Sequence, residues 1–204
     1  MITIVDYGLG NVKAIANIYN RLGIACSIAR DPDELIRSKR LILPGVGAFD
    51  WAIKRLEASR LRPVLDELVI NRRVPVLGIC VGMQIMANRS EEGLLPGLGW
   101  IPGDVKRFDE NLLSSKICLP HIGWNNVIAN DHSLFGNILD PRFYFLHSYY
   151  FLPCSVDLIL AKTHYGLPFA SAVCLDHVIG VQFHPEKSHR WGTQLLQNFA
   201  QFEV

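Results

Sequence analysis

The sequence predicts a three-layer α/β fold: a central, mostly parallel sheet flanked by helices, with a more β-rich C-terminal half. Three observations predict it. Short apolar runs alternate with helix-period segments from Ile2 to about Met86, the pattern of parallel strands joined by crossover helices. Val74, Val76, Leu77 and Ile79 leave no polar face, as expected of a strand covered on both sides. Beyond Gly93 the texture changes to a punctuated loop and then to short strand-like pieces at hairpin spacing. The chain has 204 residues, 50% of them hydrophobic, and is expected to form one domain over 1–204. A chain of this length buries roughly 70% of its unfolded surface.

The elements follow in order. Ile2 to Val5 is a first strand, ending in the turn Asp6-Tyr7-Gly8-Leu9-Gly10-Asn11, with a helix from about Val12 to Leu22. No third glycine completes a dinucleotide fingerprint there, so a tight βα turn is expected rather than a cofactor loop. Ile24 to Ala29 is a second strand. Asp31-Pro32-Asp33-Glu34 supplies an N-cap, a proline at the first helical position and acids in the first turn, so a short helix follows. Arg40 to Leu43 is a third strand, followed by Pro44-Gly45-Val46-Gly47. Helices are expected from about Ala48 to Leu56 and from Arg60 or Leu61 to Asn71, then the strand and helix spanning Val74 to Met86. Gly93, Pro96, Gly97, Gly99, Pro102 and Gly103 mark the loop. Strands are expected at Asp104–Phe108, Lys116–Leu119, Trp124–Ile128, Phe143–Leu146, Leu158–Thr163, Phe169–Cys174 and Val178–Phe183, with a turn at Asp176-His177. Leu195, Leu196 and Phe199 lie at helical spacing in a last element from about Trp191 to Phe202.

Composition excludes several classes. The formal net charge is +1 and no Lys/Arg stripe forms, so nucleic acid is not indicated. The opening MITIVDYG lacks a basic region and a long apolar core, so no signal peptide is expected. No apolar run reaches the ~18 residues of a membrane span. The five cysteines, Cys26, Cys80, Cys118, Cys154 and Cys174, are widely spaced and contain no C-x-x-C. Neither a metal site nor a disulfide framework is expected, and this usage suits a reducing cytoplasm.

The stretch Val74 to Met86 carries the chemistry. Cys80 sits between Gly78 and Gly82 at the end of a buried strand, the layout of a nucleophile elbow with sulfur in place of a hydroxyl. The glycines permit a tight turn and close neighbours. Free amides and the dipole at the N-terminus of the following helix would favour the thiolate. By itself the stretch equally suits a buried cysteine beside two packing glycines. A cysteine nucleophile needs a base, and the base needs an orienting group. Val178 to His184 reads as a strand delivering His184 at its C-terminal end, with Pro185 restricting it and Glu186 two residues on. Sites in open α/β sheets collect at the C-terminal ends of strands, so the two pieces can meet. An acyl-transfer site also needs oxyanion donors. The N–H of Val81 is one candidate, and the turn through Val46 and Gly47 offers a second, although an ordinary βα turn would read the same.

Three blocks occur in order: Leu43-Pro44-Gly45-Val46-Gly47-Ala48-Phe49, Gly78-Ile79-Cys80-Val81-Gly82-Met83-Gln84 and Gln182-Phe183-His184-Pro185-Glu186-Lys187-Ser188. They resemble the class I (triad) glutamine amidotransferases. Asp6 to Asn11, Pro120-His121-Ile122-Gly123-Trp124-Asn125 and Phe145-Leu146-His147-Ser148-Tyr149-Tyr150 resemble, more narrowly, the glutaminase subunits of imidazole glycerol phosphate synthases. The resemblance covers essentially the whole chain. It implies the class I fold and a Cys80–His184–Glu186 triad that hydrolyses L-glutamine to glutamate and ammonia. It implies substrate contacts at Gly47, Gln84, Ser148 and Tyr149, and no cofactor. It implies a heterodimer with a (β/α)8-barrel cyclase that receives the ammonia in histidine biosynthesis, with Asn11, Trp124 and Lys187 at or near that interface. Trp124 suits an aromatic anchor or a core tryptophan equally.

Three positions depart from the usual family pattern: Val81 after the cysteine, Ala14 in Gly10-Asn11-Val12-Lys13-Ala14, and Trp100. They are similar to a paralogous branch encoded with surface-polysaccharide genes, which implies ammonia supply for amidating a sugar. The remaining readings are a stand-alone cysteine hydrolase and a non-catalytic binding protein, and neither accounts for both the triad and Pro120–Asn125.

Overall fold

The computed structural model describes residues 1–109 and 118–203. Its first half follows the expected alternation: β1 (Ile2–Val5), α1 (Val12–Arg21), β2 (Cys26–Ala29), α2 (Pro32–Leu35), β3 (Leu41–Gly45), α3 (Phe49–Ala58), α4 (Arg62–Asp66), β4 (Val76–Cys80) and α5 (Val81–Gln84). The second half holds β5 (Arg89–Ser90), β6 (Gly103–Arg107), β7 (His121–Asn126), β8 (Ile128–Ala129), β9 (Arg142–His147), β10 (Tyr149–Pro153), β11 (Ile159–Tyr165), β12 (Leu167–Leu175), β13 (Val178–Val181) and α6 (His189–Gln201).

The main sheet runs β2-β1-β3-β4-β13-β12-β10-β6-β5, with β11 on β12 and β8 on β11. From β2 to β13 every pairing is parallel. β12 and β10 then add antiparallel neighbours, which makes the C-terminal half the β-rich one. Every residue of β1, β3, β4 and β13 is buried, as expected of parallel strands covered on both faces. β7 and β9 form a separate antiparallel pair. Helix α1 buries Val12, Ile15, Ala16, Ile18 and Tyr19, one face at helical spacing, and the Tyr19 hydroxyl donates to Leu196 O in α6 at 3.0 Å.

The Asp31 cap forms as its sequence predicts, the carboxylate accepting from Glu34 N at 3.0 Å ahead of Pro32. Two helices depart from expectation. The helix expected to reach Asn71 is α-helical only to Asp66 and continues as a wider π turn over Glu67–Asn71, which carries both Leu68 and Val69 into the core. The helix after Cys80 is a single turn. Its continuation is replaced because the carbonyls of Ile85, Met86 and Ala87 accept instead from Leu98, Ile101 and Gly99 of the glycine-rich loop. Trp100 in that loop is buried and donates Nε1–H to Asp66 at 2.9 Å, so this unusual residue pins the loop to α4. Of the strand expected at Lys116–Leu119, Lys116 and Ile117 lie outside the described residues, and Cys118 and Leu119 are not extended into a strand. β5 and β10 were not expected; β10 follows β9 after one residue, too short a break to read as a boundary.

Candidate active site

Register places the pieces. In the β3–β4 ladder Gly45 pairs with Cys80, and in β4–β13 Val181 pairs with Ile79, so the ends of three adjacent parallel strands converge. Cys80 has φ 55° and ψ −114°, a left-handed conformation that projects the side chain off the strand end. The turn is possible because α5 lies directly on β3: a Cβ at Gly82 would collide with the Leu43 carbonyl. A Cβ at Gly78 would sit 2.7 Å from Gly82 O. The buried Tyr7 hydroxyl donates to Pro44 O at 2.7 Å, holding the start of the Pro44–Gly47 turn. Burial, and then the neighbouring Cys80, raises that phenol far above its usual range. Because α5 is one turn, the support expected from the N-terminus of the following helix reduces to its first free amides.

His184 follows β13, and its side chain and that of Glu186 are each 2% exposed. Nδ1 donates to Glu186 Oε1 at 3.0 Å, which leaves Nε2 as the free ring position; it closes no hydrogen bond of its own. Cys80 is 3% exposed, and its sulfur lies 3.8 Å from Gln182 Nε2 and 3.9 Å from Leu146 O. Burial disfavours the imidazolium, but Cys80 and Glu186 beside it outweigh that and raise the His184 pKa to about 10. The histidine backbone is tied at both ends. Its N–H donates to Tyr144 O at 2.9 Å, and its carbonyl accepts from Ser188 Oγ at 2.6 Å.

A cavity of about 100 Å³ opens over the sulfur, and the structure gathers there Val46, Gly47, Cys80, Val81, Gln84, Ser148, Tyr149 and His184, all singled out in the sequence. Gly47 has φ +92° and its turn is exposed, in contrast to the buried strand before it. Gln84 arrives with its amide nitrogen already donating to Tyr149 O and Gln182 Oε1, both at 3.0 Å. Its nitrogen therefore holds the wall rather than pointing free into the cavity. Glu92, Leu146 and His147 complete the lining and were not expected. Glu92 accepts from Phe49 N at 2.8 Å, and burial raises its pKa. His147 follows Leu146 inside a block already singled out, so its place on the wall had a signal that went unused.

The three residues expected at an interface lie outside the cavity. Trp124 is half-buried, parallel to His189 at 5.3 Å and 7°, with Trp191 at 6.0 Å. Lys187 is exposed, its Nζ 5.6 Å from the centre of the Tyr144 ring. Asn11 is exposed at the start of α1 and makes no side-chain capping bond. Among the described residues no group of three His, Cys, Asp or Glu side chains is placed to hold a metal ion. Among the same residues no helix is long and apolar enough to cross a membrane.

A thiol on a strained strand-to-helix turn, facing a buried imidazole–carboxylate pair, is equipped for amide cleavage through a thioester. The chain matches the class-I glutamine amidotransferase family over residues 3–202 and belongs to it. Within that family it is 53% identical to imidazole glycerol phosphate synthase subunit HisH of Bdellovibrio bacteriovorus, over 98% of this chain and 100% of the relative. It is 48% identical to subunit HisH of Leptospira interrogans, over 98% and 99% of the two chains. It is 44% identical to subunit HisH 2 of Pseudomonas aeruginosa, again over 98% and 99%. Among solved structures, a glutamine amidotransferase superposes with a TM-score of 0.75 over 98% of this chain and 97% of that one, at 19% identity. PurLQS from Thermotoga maritima gives 0.70 over 98% and 97%, at 19% identity. These two share the fold.

Proposed function

We propose that the chain is the glutaminase subunit of an imidazole glycerol phosphate synthase, a single-domain cytoplasmic protein that works as a heterodimer with a (β/α)8-barrel cyclase. The carrying observation is the His184–Glu186 pair held at 3.0 Å beside Cys80, with the free ring nitrogen left for the sulfur. His184 Nε2 takes the thiol proton, and the sulfur attacks the γ-carboxamide carbon of glutamine. The C=O bond opens to an oxyanion, which the N–H of Val81 and the Val46–Gly47 turn receive. The imidazolium gives its proton to the amide nitrogen as the C–N bond breaks, so ammonia leaves and a γ-glutamyl thioester remains. Water then gives a proton to His184 and attacks the thioester. Glutamate departs and the thiol re-forms. Glu186 holds the imidazole throughout. Gly47, Gln84, Ser148 and Tyr149 surround the amino-acid end of the substrate, and no cofactor is needed.

Asn11, Trp124 and Lys187 face the barrel, which consumes the ammonia in making imidazole glycerol phosphate and AICAR. The test is reconstitution with the barrel protein from the same genome. Glutamate release should be slow for the chain alone, rise with barrel and cyclase substrate present, and vanish in Cys80→Ala. Full turnover by Cys80→Ala would overturn the reading. A second reading sends the ammonia to a surface-polysaccharide sugar. It draws on Val81, Ala14 and Trp100. Stimulation by a sugar acceptor, with none by the cyclase substrate, would favour it.

A further inference from the structure

At the wall of the cavity and behind it, two buried histidines touch. His121, on β7, pairs with His147, on β9, in the ladder register, and Nδ1 of His121 lies 2.9 Å from Nε2 of His147. His147 Nδ1 is 2.8 Å from Tyr149 O. His121 Nε2 is 3.2 Å from Asn125 Nδ2, which also donates to His164 O at 3.0 Å.

Every proton in this row is set from its two ends. A carbonyl can only accept, so His147 carries hydrogen on Nδ1 and a lone pair on Nε2. His121 must then donate from Nδ1 and keep a lone pair on Nε2. The Asn125 amide is oriented by its other end, because Oδ1 accepts from Asn126 N at 2.8 Å. Its nitrogen therefore faces His121 and donates. The result is one directed chain, Asn125 to His121 to His147 to the Tyr149 carbonyl. A second proton on either ring would set two donors against each other.

The surroundings keep both rings neutral and fixed. His121 lies between Phe145 at 4.8 Å and Tyr165 at 3.9 Å, near-parallel to both. His147 is packed by Phe108, Phe145 and Phe169. Tyr149 O accepts at the same time from Gln84 Nε2 at 3.0 Å, so both acceptor sites of this carbonyl are filled, one from α5 beside the nucleophile and one from the histidine row.

We propose that His121 and His147 are positioning residues for glutamine. Their ordered hydrogen bonds fix the Ser148–Tyr149 backbone against which the amino-acid end of the substrate rests. This inference deepens the glutaminase reading and rests on it. The consequence is a division of labour: the row controls how well glutamine is held and leaves the reactivity of Cys80 untouched.

The test uses the assembled complex. His147→Phe keeps the ring but removes both hydrogen bonds, and should raise KM for glutamine about tenfold, the effect of one buried hydrogen bond. Alkylation of Cys80 by iodoacetamide, which needs no amino-acid subsite, should proceed at the wild-type rate. His147→Asn retains a donor for Tyr149 O and should recover most of the loss. If His147→Phe does not fold, His121→Phe keeps the aromatic stack and should raise KM by a smaller factor. An unchanged KM in a folded variant overturns the proposal, as does equal slowing of alkylation. Nitrogen NMR of the wild type, which requires no turnover, should show both rings as neutral Nδ1–H tautomers; an Nε2–H His147 overturns it. A wild-type complex without glutamine hydrolysis, but with these tautomers, would instead locate the failure in the glutaminase reading.

Discussion

The backbone N–H of His184 donates to the carbonyl of Tyr144 at 2.9 Å, and the Tyr144 ring meets Trp124 edge-on at 6.3 Å. The histidine proposed as the base is thus bonded to the same two-stranded sheet whose outer face carries the tryptophan expected to meet the barrel. That face alternates with the one carrying His121 and Asn125, as β geometry requires.

Trp124→Ala should therefore weaken barrel binding by about 2 kcal/mol, the loss of an aromatic anchor. Calorimetric titration of the chain with the barrel measures it. Iodoacetamide labelling of Cys80 in the isolated variant should be unchanged. Wild-type affinity would remove Trp124 from the interface.

Cys80 has φ 55°, and only glycine adopts that region without strain. Cys80→Gly and Cys80→Ala both remove the thiol, but only the first relaxes the backbone. Cys80→Gly should be more stable than Cys80→Ala by about 1 kcal/mol. Urea unfolding of the two inactive variants checks this, and equal midpoints would show that the turn is not strained.

Gly82 is closed to any side chain, because a Cβ would enter the Leu43 carbonyl. Gly82→Ala should cost about 3 kcal/mol and also displace the elbow, since the relief available is separation of α5 from β3. Stability near that of the wild type would contradict this close approach.

The buried histidines predict opposite pH dependences. Burial lowers His121 to about 4, and burial followed by the neighbouring His121 lowers His147 to about 3. The unfolded chain binds these protons near pH 6.5 and the folded chain refuses them, so stability falls as pH drops from about 6.5 towards 4. His184 is raised to about 10, so its contribution is complete below about pH 6.5 and is lost as pH rises through 10. Against wild type, His147→Phe should flatten the acid limb of the unfolding midpoint, and His184→Asn the alkaline limb. Limbs that do not respond to these substitutions would refute the assignments.

The parallel half of the sheet, the turn at Cys80 and the pairing of His184 with Glu186 were legible because each depends on local chemistry. Val76 to Cys80 is apolar throughout, and Gly78 and Gly82 frame the turn, so strand and elbow declare themselves in a few residues. His184 and Glu186 are two apart. What was not legible depends on distant partners. The length of α5 is decided by amide donors in residues 98–101, and nothing in Val81 to Met86 announces them. The commitment of the Gln84 amide follows from where β10 and Gln182 lie. His121 and His147 are 26 residues apart, and only the β7–β9 register brings them together. Glu92 sits in a loop whose route was not predictable from its own composition.

The position of β13 has a consequence for the chain while it is being made. β13 lies between β4 and β12, yet in chain order it follows every other strand among the described residues. Until residues 178–184 have been added, β4 is an open edge and Cys80 lacks the imidazole proposed as its base. The late strand closes the sheet and leads directly into His184, so a chain released short of it exposes an apolar parallel edge and lacks the imidazole beside Cys80. Closure of the sheet and completion of the pocket over Cys80 thus depend on one short, late stretch of chain.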